Sequence, residues 1–244
     1  MGDILQVEHL SKYYGRKHVV KNVSFSMTSG DITGLLGPNG AGKTTSFYMI
    51  VGFIKSNGGR ILINGENIAS LPMYRRSRLG IAYLPQEPSI FRKLSVEDNI
   101  RLVLESQSGM TKKDRKEKLE SLIEGFGIQK VRKQYGYTLS GGERRRTEIA
   151  RALATDPKFL LLDEPFAGID PKAVYEIKQI IRKLSDDGIG ILLTDHNVRD
   201  TLEITTKAHI ISDGEILVSG TREELLSNQE AREIYFGRDF EEGR

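Results

Sequence analysis

Residues 37–44 read Gly37-Pro38-Asn39-Gly40-Ala41-Gly42-Lys43-Thr44, and this run decides the fold class. An apolar stretch at 32–36 precedes it and a helix-compatible stretch at 43–54 follows, so the glycines lie where a buried strand turns into a helix. There the loop N–H groups and the helix N-terminus face an anion. Lys43 adds a positive charge, and the Thr44 hydroxyl is placed to bind Mg²⁺. The run therefore predicts an α/β fold with a site for the phosphates of a nucleotide.

The composition fits one compact α/β domain and excludes several kinds of protein. The chain has 244 residues, 38% of them hydrophobic, which suffices for a sizeable core. Its net charge of +3 is too small to indicate a nucleic-acid partner. It has no cysteine, so disulfides and cysteine-based zinc sites are excluded. Because its apolar runs are far shorter than the roughly 20 residues needed to span a bilayer, we expect a soluble, cytoplasmic protein.

Hydrophobic patterning predicts two kinds of strand. Partly alternating patterns bounded by glycine, asparagine and serine predict antiparallel strands at Ile4 to Tyr14, His18 to Met27 and Gly59 to Ile68. Nearly continuous apolar runs predict parallel strands that are buried on both faces, at 159–163, 189–194 and 208–212. We therefore expect a parallel core sheet with a separate antiparallel part.

A charged, helix-prone segment lies between these two groups of strands. Its candidate helices are Val96 to Ser106, Thr111 to Phe126 and Gly142 to Thr155. We predict a single domain over 1–244, in which approximately 88–156 form a helical subdomain. Approximately 1–87 and 157–244 would then form the catalytic core, which includes the antiparallel strands as a β subdomain.

Two acids, Asp163 and Glu164, follow four apolar residues at the end of the predicted strand 159–163. Next to a nucleotide, Asp163 suits the Mg²⁺ shell, and Glu164 suits the orientation or deprotonation of an attacking water. By themselves the acids could equally cap the segment that follows, because carboxylates favour helix N-termini. Together with the glycine-rich loop, they indicate a metal ligand in Asp163 and a catalytic base in Glu164.

A second small-residue turn, Leu139-Ser140-Gly141-Gly142-Glu143, opens another predicted helix. It has the same anion-binding features, namely free N–H groups, a hydroxyl and the positive end of a helix dipole. In isolation it could be an ordinary capped helix start. Because one triphosphate already fills the first loop, we expect Ser140, Gly141 and Gly142 to close over a nucleotide held by a second copy. The chain is thus predicted to form a homodimer that encloses two nucleotides.

Five motifs in this order resemble the ATP-binding-cassette ATPase family, whose fold is of the P-loop NTPase type. They are Walker A at 37–44 with the adjoining Thr45, Gln86 after Tyr83-Leu84-Pro85, the signature at 139–143, Walker B at 159–164, and His196 in Thr194-Asp195-His196-Asn197. The resemblance covers nearly the whole chain. It implies an ATPase with ATP and Mg²⁺ as ligands, an antiparallel β subdomain and a helical insertion.

The resemblance also implies roles for single residues. Gln86 would join the metal shell and couple it to the helical subdomain, His196 would contact the γ-phosphate, and Tyr14 would stack on adenine. Asp170 matches the family pattern in the loop 166–170, whereas the serine that commoner members carry there is missing. Structural alternatives remain. Gln86 could be a surface amide, His196 a loop histidine and Tyr14 a strand aromatic. Tyr13 is the competing candidate for stacking on adenine.

Within the family, several stretches resemble ATPase subunits of lipopolysaccharide exporters. These stretches are 84–96, 139–146, 163–168, 194–199 and the ending 234–240. The resemblance implies that ATP hydrolysis powers lipopolysaccharide extraction and export, with the chain peripheral on the cytoplasmic face of the inner membrane. The chain would not contact lipopolysaccharide directly. The alternatives are an ATPase subunit of a branched-chain amino acid importer and a non-transport cassette ATPase.

A membrane partner is also expected, because the chain carries motor motifs but no apolar span. The segment Gln86–Leu94 contains Ile90, Phe91 and Leu94, which we expect to be exposed. An amphipathic helix of integral membrane subunits would dock there, with Phe91 and Arg92 as contacts. Alternatively, these apolar residues only seat the helical subdomain.

Overall fold

The computed structural model describes residues 2–236; the ending 237–240, part of the resemblance noted above, lies outside them. The strands are β1 (Ile4–Tyr14), β2 (Lys17–Thr28), β3 (Ile32–Leu36), β4 (Gly58–Ile63), β5 (Glu66–Asn67), β6 (Ile81–Leu84), β7 (Phe159–Asp163), β8 (Gly190–Thr194), β9 (Lys207–Ser212) and β10 (Glu215–Gly220). The helices are α1 (Lys43–Val51), α2 (Met73–Arg78), α3 (Val96–Ser106), α4 (Lys112–Gly125), α5 (Gly141–Leu153), α6 (Pro171–Asp186), α7 (Val198–Ile204), α8 (Arg222–Ser227) and α9 (Gln229–Ala231). None of the helices in this part of the chain is long and apolar enough to cross a bilayer.

One mixed sheet joins an antiparallel part to a parallel part. Its strand order is β5-β4-β1-β2-β10-β9-β3-β8-β7-β6. β1 pairs antiparallel with β2 and β4, whereas β6, β7, β8, β3 and β9 pair parallel with their neighbours in that order. β10 connects the two parts, because it pairs antiparallel with β9 and meets β2 at the pair Glu215–Asn22. The two kinds of strand predicted from the sequence are confirmed.

The burial of the strands follows from what covers each face. Every residue of β3, β7 and β8 is buried, since apolar clusters lie on both sides of the parallel strands. β1 instead alternates, with Leu5, Val7 and Leu10 inside. The carboxyl ends of the parallel strands β3 and β7 meet at one edge of the sheet. The glycine-rich loop and the two acids therefore lie at the same edge.

The helix after the glycine-rich loop is shorter than predicted. We expected helix up to residue 54, but α1 ends at Val51. Gly52 adopts φ +93° and its N–H bonds to the Tyr48 carbonyl, which ends the helix in the usual left-handed glycine cap. The buried Arg76 guanidinium then donates to the carbonyls of Met49 and Ile50, so the last turn of α1 is satisfied.

α3, α4 and α5 lie where the sequence predicts three helices. The hydroxyls of Ser95, Thr111 and Ser140 cap their N-termini. In the segment before α3 one expectation is wrong, because Ile90 is buried and Leu94 is half-buried. Ile90 packs into the apolar cluster that these helices share with the parallel strands, and so it seats the helices rather than facing solvent.

Candidate functional site

The phosphate loop joins β3 to α1 and surrounds the Lys43 amine. Lys43 is buried, and its Nζ donates to the carbonyl oxygens of Gly37 at 2.7 Å and Pro38 at 3.0 Å. Burial lowers the pKa of Lys43, while the nearby charges of Glu164 and Asp163 oppose that shift. Neutral carbonyls are weaker partners for an ammonium group than charged oxygens are. The amine is therefore ready to exchange them for the oxygens of a phosphate.

Two glycines let the backbone of this loop approach neighbouring strands. A Cβ at Gly37 would lie 2.1 Å from the Ile211 carbonyl oxygen of β9. A Cβ at Gly42, where φ is +107°, would lie 2.9 Å from the Val19 carbonyl oxygen of β2. Both positions therefore require glycine, and the loop is fixed against the sheet before any ligand binds.

A cavity of about 260 Å³ opens at this loop. Its lining contains most of the predicted phosphate-binding residues and two predicted catalytic ones: Val19, Asn39, Gly40, Gly42, Lys43, Thr44, Thr45, Glu164 and His196. Gly37 and Ala41 are buried beneath it, and Pro38 is exposed. The structure thus brings residues from four separate parts of the sequence to one opening, and one of them, Val19, was not predicted to be a site residue.

Glu164 lies at the centre of the candidate catalytic group. Its Oε1 is 2.6 Å from His196 Nε2, and its Oε2 accepts a hydrogen bond from Gln86 Nε2 at 2.6 Å. Glu164 adopts φ +47°, a left-handed conformation that non-glycine residues rarely take and that often marks a functional site. The three residues predicted to be catalytic are therefore in direct contact, although they lie 32 to 110 positions apart.

Asp163 lies beside Glu164 with one carboxylate oxygen unpartnered. Its Oδ2 accepts from the Tyr83 hydroxyl at 3.2 Å, whereas its buried Oδ1 has no hydrogen-bond partner among the described residues. Burial raises the pKa of Asp163, since the charged form is poorly solvated there. A buried carboxylate oxygen without a partner costs free energy, and a cation would offset that cost.

This donor set fits Mg²⁺, which takes one or two protein oxygens and completes its shell with water and phosphate oxygens. Asp163 and the Thr44 hydroxyl supply such oxygens. Across residues 2–236, no three histidine or carboxylate side chains are grouped to hold a metal by themselves. A magnesium ion here would therefore depend on the nucleotide for several of its ligands.

The signature turn lies at the start of α5 and away from this cavity. Ser140 Oγ accepts from the Glu143 N–H, and the Glu143 carboxylate accepts from the Ser140 N–H at 2.9 Å, which forms a capping box. These bonds to Ser140 lower the pKa of Glu143. No residue of 139–143 lines the cavity at the phosphate loop. One copy of the chain therefore does not bring its two anion-binding turns together.

The two signature glycines pack against the loop that contains Asp170. A Cβ at Gly141 would lie 3.2 Å from Ile169 Cγ2, and one at Gly142 would lie 2.8 Å from Ala173 Cβ. Asp170 caps α6, because its carboxylate accepts from the Ala173 N–H at 3.0 Å. The signature turn and the Asp170 loop thus form one continuous surface.

Tyr13 and Tyr14 end β1, and both rings are about half exposed. The Tyr13 ring stacks on His18, with 3.8 Å between ring centroids, whereas the Lys12 ammonium lies 5.4 Å from the centroid of the Tyr14 ring. Neither ring lines the cavity at the phosphate loop. The Tyr14 face is the less occupied of the two, and its role in stacking on adenine stays a prediction.

Phe91 and Arg92 are both exposed, as the predicted docking contact requires. The Phe91 backbone is fixed by Asn99, whose side chain accepts from its N–H at 2.8 Å and donates to its carbonyl at 3.1 Å. The Arg151 guanidinium lies 5.0 Å from the Phe91 ring centroid and supports one face of the ring. The exposed ring is therefore held on a rigid backbone.

Sequence reasoning missed Arg145, a buried residue of α5 that ties the site together. Its guanidinium donates to the Pro85 carbonyl at 2.9 Å and to the carbonyls of residues 163–165 at 3.2 Å each. Burial lowers the pKa of Arg145, while the carboxylates of Glu148 and Asp195 oppose that shift. The spacing of Arg145 and Glu148 on one helix face was a signal, but solvated helix faces show the same spacing.

Comparison with known proteins matches residues 20–167 to the family model described as ABC transporter. The chain is 52% identical over 237 residues to the lipopolysaccharide export system ATP-binding protein LptB of Haemophilus influenzae, covering 97% of this chain and 98% of that protein. It is 50% identical over 236 residues to LptB of Escherichia coli K12, with the same coverage. It is 48% identical over 241 residues to LptB of Acidithiobacillus ferridurans, covering 99% and 100%.

Solved structures give the same fold. One is a nucleotide-free ATP-binding cassette from an ABC transporter, 28% identical with a TM-score of 0.85, covering 97% of this chain and 100% of that one. Another is the ADP conformation of such a cassette, 28% identical with a TM-score of 0.86, covering 98% and 100%. The mixed sheet with its helical insertion is therefore the architecture of these ATP-binding cassettes.

Proposed function

The chain belongs to the ABC transporter family, and from that premise we propose that it is the ATP-hydrolysing subunit of a lipopolysaccharide exporter. Membership makes it an ATP-binding ATPase that serves a transporter. The observation that carries the proposal for the site is the contact of Glu164 with both His196 and Gln86 at the mouth of the phosphate loop. A base, a phosphate sensor and a coupling residue placed together are what triphosphate hydrolysis needs.

ATP would bind with its phosphates on the loop amides of 37–45. Lys43 would exchange the carbonyls of Gly37 and Pro38 for β- and γ-phosphate oxygens, and Thr44 and Asp163 would hold Mg²⁺. Mg²⁺ held there, with Gln86 as a further ligand, would supply positive charge that offsets part of the negative charge of the phosphates. Tyr14 would stack on the adenine ring.

Hydrolysis would begin when the bound triphosphate frees Glu164 from its two partners. With His196 drawn to the γ-phosphate and Gln86 drawn toward the metal shell, both carboxylate oxygens of Glu164 become available. Glu164 can then orient a water molecule and take its proton as the water attacks the γ-phosphorus. The contacts of Glu164 with His196 and Gln86 would thus restrain the base until substrate displaces them.

A second copy of the chain would complete each site. Ser140, Gly141 and Gly142 of one copy would face the γ-phosphate held by the other, since they lie away from the cavity of their own copy. Asp170 lies on the same surface and would join this contact. ATP would therefore hold the homodimer closed, and its hydrolysis to two separating anions would open it.

The closing motion would act on membrane subunits that dock along Gln86–Leu94. Phe91 supplies an exposed aromatic anchor on a fixed backbone, and Arg92 supplies an adjacent positive charge. The chain would thereby lie on the cytoplasmic face of the inner membrane without crossing it or contacting the transported lipid.

Lipopolysaccharide is the favoured cargo because three relatives about half identical over nearly the full length carry the export-system name. The importer and non-transport alternatives have no comparable support. To test the cargo, the tagged chain is purified from detergent-extracted membranes of its own organism together with its bound subunits. The complex, placed in liposomes, should release lipopolysaccharide when ATP is added. Stimulation by a branched-chain amino acid would favour an importer, and the absence of any membrane subunit would favour a non-transport ATPase.

A further inference from the structure

α5 carries three charged side chains that hold the docking segment from beneath. Arg145, Glu148 and Arg151 recur every three residues after the signature turn and therefore lie along one side of the helix. The docking segment is Gln86–Leu94. The three side chains bind the backbone of Pro85, directly before it, and of Ser89 and Ile90 within it. The signature turn and the docking segment are thus parts of one hydrogen-bonded unit.

Glu148 makes the central contact of this unit. Its Oε1 accepts from the N–H of Ser89 at 2.6 Å and from the N–H of Ile90 at 3.0 Å. Glu148 is only 2% exposed, and its Oε2 lies 3.5 Å from the Arg145 guanidinium. A single oxygen of this buried side chain thus holds two consecutive backbone N–H groups of the segment.

Arg151 reinforces the same end of the segment. It donates to the Ser89 carbonyl at 2.9 Å and to the Ser89 hydroxyl at 2.7 Å, and it also lies against the Phe91 ring. Both the N–H and the carbonyl of Ser89 are therefore hydrogen-bonded to side chains of α5. In contrast, residues 86–88 between the two ends are exposed, and Gln86 bonds instead to Glu164.

A displacement of Phe91 by a docked partner therefore reaches α5 by two routes, the Arg151 side chain against the ring and the backbone of Ser89 and Ile90. The signature turn begins the same helix, one and a half to two turns before Glu148, so it moves with that displacement. We propose that Glu148 is a positioning residue that transmits movement of the docking segment to the signature turn. This rests on the proposed function, in which membrane subunits dock at Phe91 and the signature completes the partner's site.

The contacts of Glu148 distinguish the role of its side-chain length from the role of its charge. Reach matters, because one oxygen has to meet two backbone N–H groups. The charge faces Arg145 and Arg151, and both of these also have carbonyl partners. Glu148→Gln keeps the length and an acceptor oxygen but loses the charge. Glu148→Asp keeps the charge but is one methylene too short to meet both amides.

The test compares the ATPase rate of the chain alone with its rate in the complete complex with its membrane subunits. For the wild type these rates should differ, and their ratio measures coupling. Glu148→Asp and Glu148→Ala should keep the KM for ATP and the rate of the chain alone within about twofold, yet bring the ratio close to one. Glu148→Gln should keep the wild-type ratio. Glu124→Gln, which changes an exposed acid near the end of α4 and outside the docking segment, is the matched control and should leave the ratio unchanged.

Hydrogen exchange gives a second readout, because the Ser89 and Ile90 amides should exchange faster in the Asp variant than in the Gln variant. A wild-type ratio in Glu148→Asp with faster exchange at these amides would overturn the proposal. Loss of coupling in Glu148→Gln equal to that in Glu148→Asp would overturn it as well, since charge and not reach would then decide. If the wild-type chain itself does not respond to membrane subunits, the proposed function fails instead.

Discussion

At the scale of single residues, the site is built around two adjacent carboxylates, Glu164 and Asp163. Glu164 is held by His196 and Gln86 in a strained left-handed conformation, and Asp163 keeps one buried oxygen without a partner. Both features cost stability and are useful only when a metal-bound triphosphate arrives. Function at this site is therefore prepared at the expense of the ligand-free fold.

Replacing Glu164 by glutamine removes the base and keeps the shape of the side chain. We expect the ATPase rate to fall by about 10²- to 10⁴-fold, the usual contribution of a general base, while ATP affinity is retained. Phosphate release and nucleotide binding measure the two quantities. Glu87→Gln is the control. Wild-type hydrolysis by Glu164→Gln would remove Glu164 from the role of base.

Replacing Asp163 by asparagine should stabilise the ligand-free chain while abolishing magnesium-dependent hydrolysis. Burial raises the pKa of Asp163, so above that pKa the folded state carries a poorly solvated charge. The thermal midpoint should rise by about 2–4 °C for each 1 kcal/mol relieved. As the pH falls through the raised pKa, the wild type becomes neutral too, and the difference between the two midpoints should shrink. An unchanged or lower midpoint for the variant at neutral pH would contradict this account.

Among these residues, the ones that a motif marks were predictable, and the ones that burial creates were not. Lys43 and Glu164 follow from the strand context of their motifs, and the structure places both at one cavity. Arg145 and Glu148 stand in a charged helix, and nothing local distinguishes their buried side from a solvated one. Their partners come from the packing of α5 against the docking segment and against the end of β7.

At the scale of elements, the phosphate loop is fixed by its fit between β2 and β9. The sequence predicted β3 with its bounds and the helix that follows, because apolar continuity and glycine punctuation are local signals. It placed the end of α1 three residues too late, since a glycine inside an apolar stretch can continue or end a helix. It also placed Ile90 at the surface, because exposure depends on helices that pack from elsewhere.

The close approach of the loop to β9 gives a prediction for Gly37. Gly37→Ala would put a Cβ 2.1 Å from the Ile211 carbonyl oxygen, so the loop or the strand must move. We expect a lower thermal midpoint and at least a tenfold loss of ATP affinity, about 1.4 kcal/mol or more. Gly125→Ala is the matched control, since a Cβ there meets nothing within 4 Å. ATP affinity equal to that of the control would show that the loop tolerates the change.

At the scale of the whole molecule, one chain carries two halves of a site that face different ways. The phosphate loop and Glu164 lie at the carboxyl ends of the parallel strands. The signature turn packs beside the loop that contains Asp170 and does not line the cavity at the phosphate loop. The order of the motifs predicted both the phosphate loop and the signature turn. The sequence alone could not show that the two lie apart in one chain. That separation is the physical reason for expecting two copies to act together.

We propose that each nucleotide lies between the phosphate loop of one copy and the signature turn of the other. It is tested most directly by mixing two inactive variants, Glu164→Gln and Gly141→Asp, and measuring ATP hydrolysis after the copies exchange. Each variant alone should be inactive. A mixed pair holds one intact site. It is formed by the phosphate loop and Glu164 of the Gly141→Asp chain and by the signature turn of the Glu164→Gln chain. With random pairing, half of the pairs are mixed and half of their sites are intact, so the mixture should recover about a quarter of the wild-type rate. No recovery, with both variants folded and paired, would contradict the account.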